Sequence, residues 1–218
     1  MKNRMLMLLA GLFVIANAGF AQTKTSFAIR AGVNFQNLNG EDMEGRDLDN
    51  KLKTGFHAGV EVDIPIASEF YVRPGALYSL KGAKYDDNAD TKFNLGYIEV
   101  PVSFVYKPML GTGRLVLGIG PYVAFAISGN VKNDDMDMDI EFENEITLQQ
   151  ALSGTPYAKG FDAGGNIFFG YEFGERFFAQ LNAQLGMVNI NPKIEDVDDD
   201  DIGKTKNTGF GVSVGYRF

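Results

Sequence analysis

From Ser26 to the C-terminus, hydrophobic and polar positions alternate in eight separate runs. A period of two is that of a β-strand, whose successive side chains point to opposite faces. The runs are Ser26–Asn37, Lys53–Ile64, Phe70–Lys81, Phe93–Lys107, Arg114–Ser128, Gly160–Phe173, Phe177–Asn189 and Asn207–Phe218. Each has the roughly 9–11 residues that a tilted membrane strand needs. The seventh is the cleanest: Phe177, Ala179, Leu181, Ala183, Leu185 and Met187 alternate with Phe178, Gln180, Asn182, Gln184 and Gly186. The eighth sets Phe210, Val212, Val214, Tyr216 and Phe218 against Gly211, Ser213, Gly215 and Arg217, and stops on an aromatic.

The connections alternate too. Pro65–Glu69, Pro108–Gly113 and Gly174–Arg176 are short; Leu38–Leu52, Gly82–Lys92, Gly129–Lys159 and Ile190–Lys206 are long. Short turns on one side and long loops on the other are the habit of outer-membrane barrels, in which the apolar face meets lipid and the polar face lines the lumen. The expected fold is therefore all-β: an eight-stranded, up-and-down antiparallel transmembrane β-barrel with long acidic outer loops, located in the outer membrane. Phe70, Tyr106, Phe173, Phe177 and Phe218 should form one aromatic girdle, with Phe35, Phe56, Tyr78, Phe161 and Phe210 in the other. Pro74, Pro101 and Pro121 fall inside strands. Proline cannot donate to a ladder, so bulges or nearby strand ends are expected there.

The N-terminus carries Lys2 and Arg4, an apolar stretch from Met5 to Ala16, and small residues up to Ala21. This is the layout of a cleavable export signal over residues 1–21, leaving 22–218 as the barrel domain. With no cysteine there is no acylation site and no disulfide. The chain has 218 residues, 45% hydrophobic, with a mean hydropathy of −0.10. That value hides a membrane face, because only alternate strand residues would touch lipid. A soluble, exported lipocalin-like ligand-binding barrel is the rival, with the same apolar faces turned inward.

Net charge is −8, and the long connections hold 21 of the 28 acidic residues beside nine basic ones, an excess of 12 (21 − 9) on one rim. Nucleic acid is not an expected partner of so acidic a chain. Membrane lipids and lipopolysaccharide are, together with the barrel-assembly machinery and an envelope protein of unknown identity. Tyr216 and Phe218 are read as the C-terminal assembly signal. In DVDDDDIG, Asp196, Asp198 and Asp200 occupy the first, third and fifth positions of a calcium-loop template, but Asp201 stands where glycine belongs. Apart from calcium at this weak site no cofactor is expected.

The inward faces carry Arg30, His57, Glu61, Asp63, Arg73, Lys81, Glu99, Asp162, Glu172 and Arg217. Eight strands enclose a lumen just wide enough for side chains to fill, so these charges must pair there. A proton path through such a plug is the functional alternative. His57 is the sole histidine; paired with Asp162 it would be the acid–base group of an outer-membrane hydrolase. No GxSxG, HExxH or P-loop pattern accompanies it, and enzymatic activity is not expected.

Several stretches together resemble the PorT-like outer-membrane β-barrel family common in Bacteroidetes. They are Phe20–Gln22, AGVNF (Ala31–Phe35), RPGALYSLKG (Arg73–Gly82), YIEVPVSFVYKP (Tyr97–Pro108), GIGPYVAF (Gly118–Phe125), FDAGGNIFFGYEF (Phe161–Phe173) and GVSVGYRF (Gly211–Phe218). The resemblance implies prolines at positions 101 and 121, a structural or interaction role in the envelope, and a link to secretion or envelope assembly. It brings no catalytic residues.

Overall fold

A computed structural model describes residues 24–42, 45–85, 91–174, 176–198 and 202–218. The expected export signal, residues 1–21, lies outside them. Eight long strands form the body: β1 Ser26–Glu41, β2 Lys53–Ala67, β3 Phe70–Tyr85, β4 Lys92–Tyr106, β5 Gly113–Lys132, β6 Phe161–Phe173, β7 Phe177–Gly186 and β8 Lys204–Arg217. Each pairs antiparallel with its neighbours in sequence, and β1 pairs with β8 from Ala28↔Arg217 to Glu41↔Lys204. The sheet therefore closes on itself without an edge, as a barrel must.

The alternation decides which face is which. In β7, Leu181 is 56% exposed, whereas its neighbour Gln180 is 2% exposed. Phe27, Ile29, Val33, Val60, Phe104, Ile119, Ile167 and Val214 are likewise exposed on the outer wall, while Glu61, Asp63, Arg73, Glu99 and Glu172 are buried inside. An exposed apolar band around a charged interior is a surface built for hydrocarbon. The lipocalin-like alternative, which needs the opposite arrangement, is overturned. Arginine in place of Leu181 should cost about 2–4 kcal/mol in a bilayer. In single-cysteine variants a lipid-phase probe should mark positions 181, 183 and 185 and leave 180, 182 and 184 unmarked.

Ring contacts fall into the two expected sets. At the turn end Phe70 lies 4.8 Å from Tyr106 and Phe177 5.0 Å from Tyr216, which is itself 5.1 Å from Phe218. At the loop end Phe35 meets Phe210 at 5.3 Å, Phe56 meets Tyr78 at 5.6 Å and Phe161 meets Phe125 at 5.5 Å.

Two expectations need correction. Strands β1, β3 and β5 run past the ends set by the alternation, to Glu41, Tyr85 and Lys132. A paired ladder continues as long as both backbones remain extended, whatever the polarity of the side chains. At Gly82 it does so with φ +124°, a conformation that a side chain rarely adopts, and an added Cβ would meet the Phe93 carbonyl.

The three prolines are neither at strand ends nor at bulges. Instead each opens a short gap toward the preceding strand. The β2–β3 pairing lapses between Glu61↔Gly75 and Ile64↔Val72, beside Pro74. The β3–β4 pairing lapses between Pro74↔Val102 and Leu77↔Glu99, beside Pro101, and the β4–β5 pairing between Pro101↔Tyr122 and Phe104↔Ile119, beside Pro121. The register is the same on both sides of each gap, because a missing N–H removes a bond without adding a residue. The register shifts lie elsewhere, at Pro65/Ala67 and Gly96/Tyr97.

Candidate functional site

The interior is layered. Toward the turn end Tyr71, Val105, Val116 and Phe168 form an apolar cluster. At the loop end Leu38, Ala83, Leu95, Tyr97, Tyr122 and Ala124 pack with Ile140, Ala158 and Ile190, which come from the long loops. All ten inward residues named from the sequence line the lumen; Arg30 is the most exposed of the ion-paired ones, with 11% of its side chain accessible.

Asp63, 0% exposed, is the hub of the larger ionic group. It accepts from Arg73 Nε at 2.5 Å, Lys107 Nζ at 3.1 Å and Arg217 Nη1 at 2.9 Å. Glu172 accepts from the same Lys107 at 2.7 Å and from Arg217 Nε at 2.9 Å. Glu61 faces Arg30, Arg73 and Arg217 at 3.5, 3.2 and 3.6 Å. The guanidinium groups of Arg73 and Arg217 also lie over the rings of Phe168 and Phe178. These cation–π contacts supply favourable field where water is excluded.

A smaller group sits nearer the loops. Lys81 bridges Glu99 at 3.0 Å and Asp162 at 3.3 Å, with its ammonium 4.1 Å from the centre of the Tyr122 ring. Asp162 also accepts from Tyr122 and Asn207, and Glu99 from Gln184. The paired cations Arg30, Arg73, Lys81, Lys107 and Arg217 thus match the carboxylates Glu61, Asp63, Glu99, Asp162 and Glu172 one for one. Lys107 was missing from the sequence-derived set. Its inward phase at the end of the fourth run was the signal that marks it.

His57 does not meet Asp162, whose partners are those just given. Its Nδ1 lies 2.5 Å from Asn34 Oδ1 and its Nε2 2.7 Å from Ser213 Oγ. Asn34 donates its amide to Ser79 and Ser213 its hydroxyl to Asn182. Serine, imidazole and amide lie in the order of nucleophile, base and orienter, but a Ser213 hydroxyl that donates to Asn182 cannot also donate to His57 Nε2. Chemistry needs space as well, and Ser213 is 1% exposed. The void lined by Asn34, His57, Glu99 and Asn182 measures about 30 Å³, room for a water rather than an acyl substrate. The array links five strands, β1, β2, β3, β7 and β8, through one ring.

Among the described residues the third and fourth long loops carry paired structure of their own. Glu145 and Ile146 pair in parallel with Lys193 and Ile194, and Glu141 and Phe142 with Tyr157 and Ala158. Between them a helical turn, Leu148–Ala151, starts in a capping box in which Thr147 and Gln150 satisfy each other's backbone N–H. Asp137 is held by Asn130 and Lys132, which keep its carboxyl below the usual carboxylate range. Among the described residues no three metal-ligating side chains gather. Asp196 occupies a turn with φ +63°, and Asp200 lies outside the described residues.

A closed eight-stranded barrel with a lipid-compatible wall and an ionic interior defines an outer-membrane barrel protein. The chain belongs to the outer membrane protein beta-barrel domain family, whose profile matches residues 20–191, and it resides in the outer membrane. Among solved structures it is similar to the attachment invasion locus protein Ail of Yersinia pestis, with 12% identity and a TM-score of 0.43 over 90% of this chain and 100% of that one. Neisserial surface protein A is 11% identical with a TM-score of 0.48, again over 90% of this chain and 100% of that one. Outer membrane protein OprG from Pseudomonas aeruginosa is 13% identical with a TM-score of 0.47, over 90% and 97%. No curated protein matches the chain.

Proposed function

We propose that the protein is a non-conducting barrel with a structural and interaction role in the envelope, and that its folded outer cap is the working surface. The observation that carries this reading is the balanced ionic plug, interleaved with apolar rings and closed at the loop end by an apolar layer. Ions held this tightly leave no wide aqueous path, and eight strands offer little spare diameter. A cap held by inter-loop backbone pairing presents a fixed surface, which a partner can recognise at a lower ordering cost than mobile loops. Service in secretion or envelope assembly, and kinship to the PorT-like branch, extend the same reading on the strength of the motifs quoted above. Tyr216 and Phe218, at the end of β8, suit recognition by the assembly machinery, and the wall and rim suit lipid and lipopolysaccharide.

Purified protein in planar bilayers should show no stepwise ion current, and liposomes carrying it should not swell in small sugars. A steady open-channel current contradicts the proposal. Proteolysis of the cap should proceed equally with millimolar calcium or with chelator. Calcium-dependent protection, weakened by Asp198→Asn and Asp200→Asn, would instead establish a metal site of the extracellular, weakly binding kind.

A further inference from the structure

The cap holds a cavity that the lumen plug does not use. It lies where the Ile146–Ile194 pairing meets the loop end of β1, and its volume is about 360 Å³, within the range of small-molecule sites. Ile146 and Ile202, 5% and 7% exposed, line it as buried side chains, joined by Leu48, Tyr157 and Ile194.

Two carboxylates reach it, and they differ. Asp42 is already engaged by Arg46, whose Nε and Nη2 both lie 2.8 Å from Oδ2 and whose backbone N–H donates to Oδ1. Glu41 is exposed, and among the described residues no hydrogen bond or ion pair of its side chain is present. No lysine, arginine or histidine is among the described residues lining the cavity. The surrounding connections add an excess of 12 negative charges, a field that repels anions and concentrates small cations.

We propose that this cavity binds a small cationic amphiphile: an ammonium or guanidinium head on an aryl or short alkyl body, the head at Glu41 and the body against Ile146 and Ile202. Apolar contact supplies the hold, and Glu41, whose carboxylate has no hydrogen bond or ion pair among the described residues although Lys204 is its strand partner, supplies the choice of charge. An exposed ion pair is weak, so the preference over a neutral analogue is about two- to five-fold, and it shrinks as salt screens the rim.

The test uses the full barrel in lipid nanodiscs with labelled isoleucine methyl groups, titrated with 2-phenylethylammonium, 2-phenylethanol and 3-phenylpropionate. Saturable shifts at Ile146, Ile194 and Ile202 are expected with the ammonium, weaker ones with the alcohol and the weakest with the carboxylate. Glu41→Gln should bring the ammonium down to the level of the alcohol. Ala151→Trp, which fills the cavity from its helical turn, should abolish the shifts. Equal response to ammonium and alcohol in the unaltered protein would overturn the proposal. So would full binding in Ala151→Trp, or shifts that merely track those of lipid-facing Ile29 and Ile119 as the probe enters the bilayer.

Discussion

Alanine in place of Asp63 should lower the unfolding free energy by about 3–5 kcal/mol, the cost of removing one partner from a buried ionic group. The substitution leaves the cationic groups of Arg73, Lys107 and Arg217 facing only Glu61 and Glu172 in a space that excludes water. Urea titration of the folded band on a gel, in lipid vesicles, reads the change directly. Arg30 offers the control. It makes one ion pair, at 3.5 Å, and is the most exposed of the paired cations in the lumen, so Arg30→Met should cost far less. Adding Lys107→Met to the Asp63→Ala variant removes a stranded cation and should recover part of the loss. A loss no larger than that of Arg30→Met would mean that Asp63 is not the hub the geometry makes it.

Lys81→Ala should have an effect of the same size, about 3–5 kcal/mol, for the opposite reason of charge. Lys81 is 0% exposed and is the cation that Glu99 and Asp162 share, and its ammonium lies over the rings of Tyr97 and Tyr122. Lys81→Met keeps most of that packing and loses only the charge, so the difference between the two variants separates packing from electrostatics. Asp162 still accepts from Tyr122 and Asn207, and Glu99 from Gln184. Adding Asp162→Asn to Lys81→Met should therefore restore much of the stability. The same urea titration tests it, and a double variant as unstable as Lys81→Met alone would show that the carboxylates do not depend on this lysine.

How far the site was legible varied residue by residue. The inward phase of Glu61, Asp63 and Arg73 followed from their places in alternating runs, and the structure puts all three in one ionic group. That Asp63 on β2 takes Lys107 from β4 and Arg217 from β8 was not legible. His57 was correctly placed on the inner face, yet its partners are Asn34 and Ser213 instead of Asp162. Carboxylates dominate the composition of the long loops. Ile140, Ala158 and Ile190, scattered among them, nevertheless fold inward to close the barrel mouth.

Strand number, the lipid-facing and lumen-facing sets, the side on which the long loops lie and the membrane in which the protein resides are all readable along the chain. These follow from a period of two and from alternating connection lengths, both local properties of one strand or one loop. The tertiary structure alone decided who pairs across the lumen, how the cap folds and where the proline gaps fall. Those depend on the stagger between strands, which sets the height at which distant side chains meet. A one-residue change of register reverses a whole face and is therefore excluded. A two-residue shift would keep every face and change every partner, so no local pattern of apolar and polar residues can distinguish the two.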